Sequence, residues 1–74
     1  LVGDYIKAEK FLNKAVELLP GDPIASDHYG DVLWKLGRKL QARYFWESAF
    51  NSDEADEKMK KSIKSKLIKG LEKI

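Results

Sequence analysis

The stretch that decides the fold is PIASDHYGDVLWKLGRKLQARYFWESA, residues 23–49 of a 74-residue chain. Five residues of this stretch match, in identity or as large apolar residues, the residues 34 positions earlier. The pairs are Gly3 with Gly37, Ala8 with Ala42, Phe11 with Phe45, Leu12 with Trp46, and Ala15 with Ala49. Such a period is typical of stacked helix-turn-helix units, which bury their apolar faces only against neighbouring units. Arrays of this kind mostly bind other proteins.

The repeat predicts an all-α fold of about four helices, arranged as antiparallel hairpins. Residues 1–22 are interpreted as the second helix of an incomplete unit, residues 23–52 as a complete unit, and residues 53–74 as a lysine-rich capping helix. The first copy begins near the middle of its unit, so Leu1 and Val2 are expected to end a helix that is otherwise absent. We therefore expect the chain to be the C-terminal portion of a longer protein.

Apolar residues spaced three and four apart predict the helices, and turn residues predict their ends. Asp22 is expected to accept hydrogen bonds from the first amides of the second helix, and Gly37 is expected to close that helix in a left-handed conformation. Gly30 lies inside it at a cost of about 1 kcal/mol relative to alanine, which predicts close approach of a neighbouring helix. The predicted bounds are Asp4 to Pro20, Pro23 to Gly37, about Arg38 to Asn51, and Asp53 onward.

The last segment, residues 53–74, carries the whole net charge of +2. Four acids at its start precede six lysines between Lys58 and Lys69, an order that suits a helix macrodipole. This segment has no Trp, Tyr or Phe, which favours a capping role over binding to an anionic membrane or to nucleic acid. Its predicted apolar stripe consists of Met59, Ile63, Leu67 and Leu71, with Ile68 and Ile74 alongside.

Composition argues against several classes of function. The chain has no cysteine and a single histidine, His28, so disulfides are excluded and a site with several Cys or His metal ligands is not expected. No glycine-rich phosphate loop and no supported catalytic triad is found, so we expect neither enzymatic activity nor a cofactor. The sequence contains no run of roughly 20 apolar residues, so a soluble fragment of unknown location is expected.

The string from Pro23 to Ala49 resembles a tetratricopeptide repeat. Small residues at Gly30, Ala42 and Ala49, a large one at Trp46 and the closing proline at Pro20 carry the resemblance, which covers residues 3 to about 54. The second copy of the repeat departs from the family pattern at Ser26, Leu33 and Glu54. Because Glu54 replaces the expected proline, the third and fourth helices are expected to be joined by a shorter turn or to run nearly continuously.

The resemblance also implies a concave groove that binds ligands, and its groove-facing positions are Ile24, Asp27, Asp31, Trp34 and Lys35. A tryptophan beside two carboxylates suits a peptide with an apolar anchor and a basic residue. The same carboxylates would repel the C-terminal carboxylate that some members of the family bind on chaperone tails. The alternative is structural: both aspartates keep the helix soluble, Lys35 pairs with Asp31, and Trp34 packs under the last helix.

The sequence therefore favours a non-catalytic protein-protein interaction module or scaffold that binds a partner through the concave groove. The alternative function is a basic amphipathic helix that attaches to an anionic membrane surface or to nucleic acid. The face of Phe11, Leu12 and Ala15 is expected to be partly uncovered, and exposed apolar surface of this kind favours self-association.

Overall fold

The computed structural model describes residues 2–71, except for the side chain of Val2, and within them it contains helices and no strands. The four helices are α1 (Val2–Leu18), α2 (Pro23–Lys35), α3 (Lys39–Phe50) and α4 (Glu57–Lys69). The predicted all-α fold is confirmed. The prediction that Ile74 joins the apolar stripe of the last helix falls outside the described residues.

Successive helices pack against each other and run antiparallel. In the α2–α3 hairpin, Trp34 lies beside Lys39 near the start of α3, whereas Tyr29 lies beside Phe45 in its second half. The principal extents of 32 × 29 × 18 Å describe a flat stack of helices. In this order α2 and α4 follow the same direction.

Both ends of α2 are closed by the residues that the sequence predicts. The side chain of Asp22 accepts a hydrogen bond from the backbone amide of Ala25, and Pro23 follows it in the first turn. At the other end Gly37 has a φ of 85°, and the amides of residues 37 and 38 donate to the carbonyls of Trp34 and Leu33. These two bonds form a Schellman motif, which a glycine in this conformation favours.

Gly30 lies where α2 and α3 cross. A Cβ atom at this position would lie 2.5 Å from Nε1 of Trp46 and 3.0 Å from the carbonyl oxygen of Ala42. No side chain fits in that space. The predicted close approach is confirmed.

The start of α1 differs from the prediction. Residues Val2 and Gly3 belong to α1 itself instead of ending a preceding helix. Gly37 adopts a positive φ because it closes α2, whereas no helix precedes Gly3 in the described part of the chain. The repeat in sequence therefore holds for the packing residues and not for this glycine pair.

The connection between α3 and α4 also differs from the prediction. Residues 51–56 break the helix, and α4 begins at Glu57 with Asp56 as its cap. This connection is longer than residues 19–22 between α1 and α2, so a start at Asp53, a shorter turn and a nearly continuous join are all wrong. Ser52 holds the connection in place, because its Oγ donates to the carbonyl of Gly21 at 2.8 Å. The same Oγ accepts from the amide of Glu54 at 3.2 Å.

The core consists of two clusters that meet at the α2–α3 hairpin. Tyr29, Leu33 and Ala42 form the first cluster, and Leu12 and Val16 of α1 pack against it. The second cluster contains Trp46, Ala49 and Ile63, and it joins α3 to the apolar stripe of α4. All three residues are fully buried. The hydrophobic effect on this side thus fixes α4 as a cover over α3.

The structure extends the 34-residue period to α4. Helices α2 and α4 both contain 13 residues, and their first residues are 34 positions apart. Asp22 and Asp56 cap them in the same way, through the amides of Ala25 and Met59. Helix α4 therefore repeats the length and the N-terminal cap of α2.

Candidate partner-binding groove

The predicted groove residues lie on α2, beside α4. Lys66 of α4 binds both aspartates, with its Nζ 2.9 Å from Oδ1 of Asp27 and 2.9 Å from Oδ1 of Asp31. Further along, Trp34 lies against Gly70, where a Cβ atom would be 2.5 Å from its Cη2. Residues further along α2 contact residues further along α4, so the two helices run parallel and form one surface.

The ion pairs belong to a network that is largely covered. The side chains of Lys66 and Asp27 are 17% and 14% exposed, and that of Asp31 is 31% exposed. Oδ1 of Asp31 also accepts from Nε1 of Trp46 at 3.0 Å. Burial disfavours the charged ammonium of Lys66, but the hydrogen bonds and the negative charges of Asp27 and Asp31 together outweigh it and raise the pKa of Lys66 above its ordinary value of 10.5.

Trp34 is partly covered by its neighbours. Its ring stacks on Trp46 with centroids 5.3 Å apart, and the ammonium of Lys39 lies 4.9 Å from the ring centroid. Its indole Nε1 is buried and has no hydrogen-bond partner among the described residues. This is the arrangement of the structural alternative, in which Trp34 packs under the last helix.

The two remaining predicted residues lie at opposite ends of α2. Ile24 is 54% exposed, and Lys35 is half-buried with its ammonium 5.3 Å from the ring centroid of Tyr5. Lys35 therefore reaches towards α1, while the carboxylate of Asp31 is held by Lys66. A shallow depression of about 320 Å³ opens between α2 and α4, lined by Asp27, Asp56, Lys58, Met59 and Ser62.

Sequence reasoning missed the part of this surface that α4 supplies. The residues 34 positions after the predicted groove residues are all exposed, and they are Lys58, Lys61, Ser65, Ile68 and Lys69. Two pairs in the sequence could have indicated that α4 is equivalent to α2. They are the capping residues Asp22 and Asp56 and the buried residues Tyr29 and Ile63, each pair 34 positions apart. The apolar stripe of α4 points the other way, since Ile63 is fully buried against α3.

A second polar cluster joins α1 to the α2–α3 hairpin and was not predicted. Glu9 accepts from the hydroxyl of Tyr29 at 3.3 Å and pairs with Arg38 at 3.4 Å. Burial, then the charge and hydrogen bond of Glu9, raise the pKa of Tyr29 above its ordinary value of 10.0. These bonds connect residues about 20 to 30 positions apart, so they depend on tertiary structure.

The face of α1 that points away from α2 is apolar and open. Phe11 is 73% exposed, and a depression of about 310 Å³ is lined by Phe11, Lys14, Ala15, Leu18 and Leu19. Leu12 is half-buried because it also packs on the first core cluster. The predicted uncovered surface thus centres on Phe11 and Leu18.

Within residues 2–71, acidic and histidine side chains form no group that could hold a metal ion, and His28 is exposed. None of the described helices combines the length and the apolar character that crossing a membrane requires. Comparison of the chain with protein-family models, with curated proteins and with solved structures found no match.

Proposed function

We propose that this chain is a non-catalytic protein-binding module of the tetratricopeptide type, and that it binds a peptide or protein segment across α2 and α4. The observation that carries the proposal is the parallel placement of these two helices, which Lys66 joins through Asp27 and Asp31. Stacked hairpins that place alternate helices on one side produce an extended concave surface, and such surfaces bind partners.

Two further features support the proposal. The contact of Gly30 with Trp46 and Ala42 uses the small and large residues of the repeat pattern at the helix crossing. Ile24 leaves an apolar side chain exposed about one helical turn before Asp27, which lines the α2–α4 depression, and an apolar anchor of a partner can pack on it. Lys66 already pairs with the two carboxylates that suggested a basic partner, so a basic residue would have to compete with it.

The experiment that tests the proposal is selection of peptides from a random library, followed by affinity measurement against two variants. Ile24→Asp removes the exposed apolar residue of the groove, and Leu40→Asp is its control because both residues are exposed and second in their helices. We expect Ile24→Asp to weaken binding about tenfold and Leu40→Asp to leave it unchanged. Equal effects of both variants, or no selected peptide, would contradict the proposal.

The same measurement separates this function from attachment to a membrane or nucleic acid. The part of the affinity that comes from apolar contacts should persist when the salt concentration rises from about 50 to about 500 mM, because it is not electrostatic, so peptide binding should weaken only partly. Binding to phosphates or lipid headgroups would instead fall steeply over that range. The inward orientation of Ile63 and its stripe favours the protein-binding function, because Ile68 is the single large apolar side chain within residues 57–69 that stays exposed and could insert in a membrane.

A further inference from the structure

Helix α4 is more than a cover for α3, because it repeats the geometry of α2 at a spacing of 34 residues. Both helices begin after a capping aspartate, and both turn an apolar residue inward, Tyr29 in α2 and Ile63 in α4. The groove positions of α2 are therefore repeated on α4, where all five are exposed. The groove does not end at α2.

The charge of this extended groove differs from that of α2 alone. Lys66 compensates part of the charge of Asp27 and Asp31, and the three side chains are mostly covered. By contrast, α4 presents exposed lysines at three repeated groove positions, which are Lys58, Lys61 and Lys69. The exposed charge on the α4 half of the surface is therefore positive, and it attracts carboxylates.

Resting on the function proposed above, we infer that the α2–α4 groove binds an acidic peptide that carries apolar side chains between its carboxylates. Ile68, 70% exposed, lies between Lys61 and Lys69, and Ile24 lies at the α2 edge. Residues 58 to 69 span about 16 Å along a helix, which matches about five residues of extended peptide. An apolar side chain packs on Ile68 while carboxylates pair with the lysines on either side.

Peptide is favoured over nucleic acid by the chemistry of the face. The described part of α4 has no aromatic side chain on which a base can stack, and stacking supplies much of the affinity for single strands. The isoleucines instead offer aliphatic surface, which suits leucine-like side chains.

The test uses synthetic six-residue peptides with the order Glu-Ser-Leu-Ser-Glu-Ser, labelled for fluorescence anisotropy and amidated at the C-terminus. Every second side chain of an extended peptide points to the same side, so this order places the glutamates and the leucine on one face. The amide keeps binding independent of a terminal carboxylate. The control peptides replace both glutamates by lysine or the leucine by serine, and a labelled single-stranded oligonucleotide is the third control. We expect the acidic apolar peptide to bind at least about tenfold tighter than each control.

Matched variants locate the binding on α4. Lys61→Glu should lower the affinity for the acidic peptide about tenfold. Lys7→Glu makes the same charge change at an exposed position of α1 and should have little effect on that affinity. Ile68→Gln and Leu18→Gln form the second pair, since both residues are 70% exposed near a helix end. Only the Ile68 variant should lose affinity.

Preference for the lysine peptide, or equal effects of Lys61→Glu and Lys7→Glu, would overturn the inference and leave groove binding itself intact. Tighter binding of the oligonucleotide would overturn it in favour of phosphate recognition. If library selection gives groove-dependent peptides while the acidic peptide does not bind, the proposed function stands and this inference fails.

Discussion

Replacing Gly30 by alanine tests the contact on which the α2–α3 hairpin depends. The new Cβ would lie 2.5 Å from Nε1 of Trp46 and 3.0 Å from the carbonyl oxygen of Ala42. Trp46 is fully buried, so its indole has no open space into which to move. Overpacking of this severity costs about 3 kcal/mol, and the better helix propensity of alanine returns about 1 kcal/mol. We expect the free energy of unfolding to fall by about 2 kcal/mol.

Gly3→Ala is the matched control, because Gly3 is also helical and a Cβ there meets nothing within 4 Å. This variant should be neutral or more stable by roughly 0.5 kcal/mol. Thermal and urea unfolding followed by far-ultraviolet circular dichroism measure both changes. In a domain of this size, the loss in Gly30→Ala should lower Tm by roughly 10 °C.

A double-mutant cycle with Trp46→Leu tests whether the indole causes the clash. Leucine lacks the rigid indole edge, with Cδ1 and Nε1, that the new methyl group of Gly30→Ala would meet, so the cost of that substitution should shrink by at least about 1 kcal/mol in the double variant. The reasoning is refuted if Gly30→Ala behaves like Gly3→Ala, or if its cost is the same in both backgrounds. Either result would mean that α2 and α3 do not cross at Gly30.

Four further outcomes follow from the structure. Lys66→Met should lower the free energy of unfolding by about 2 kcal/mol, because two partly buried carboxylates lose their cation. Lys61 is exposed, so Lys61→Met should change it by less than about 0.5 kcal/mol. Equal losses in urea titrations would contradict the ion-pair network. Folding raises the pKa values of Tyr29 and Lys66, so the unfolded chain loses these two protons at a lower pH than the folded chain. The free energy of unfolding should therefore fall above about pH 10, and it should fall less steeply in Tyr29→Phe. Constant stability up to about pH 11 would refute this linkage. In calorimetry, replacing Asp27 and Asp31 together by Asn should strengthen the binding of a peptide with a free C-terminal carboxylate more than that of its amidated form; equal changes would show that the carboxylates of α2 do not repel it. Sedimentation should detect self-association that Phe11→Gln weakens, and a strictly monomeric profile at high concentration would count against the open face of α1 as its cause.

The parts of the fold that the sequence predicts correctly depend on short separations or on the repeat. The cap at Asp22, the turn at Gly37 and the crossing at Gly30 follow from the chemistry of single residues in a periodic pattern. The start of α4 was mispredicted because Asp53 and Asp56 can both cap a helix. In the structure Asp56 is the cap, and the connection before it is held by the hydrogen bond from Ser52 to the carbonyl of Gly21, 31 positions away in the chain.

The candidate groove shows a similar division. The pattern correctly places Asp27 and Asp31 on one face of a helix, and it predicts a tryptophan beside them. It does not indicate which of six nearby lysines pairs with them, because that choice depends on how α4 sits on α3. Lys66 is selected by packing, since Ile63 and Leu67 on either side of it turn this part of α4 towards the core.

Burial of the repeated positions depends on the number of neighbouring helices, which the pattern alone does not specify. Ala42 and Ala49 are fully buried because α3 lies between α2 and α4, whereas their counterparts in α1, which packs mainly on α2, are only half-buried. The exposure of Ile68, which lies 34 residues after Trp34, has the same explanation. Trp34 is partly covered by Gly70, while Ile68 is 70% exposed because no helix follows α4 among the described residues. A position that is packed against its neighbours in α2 is thus exposed to solvent in α4.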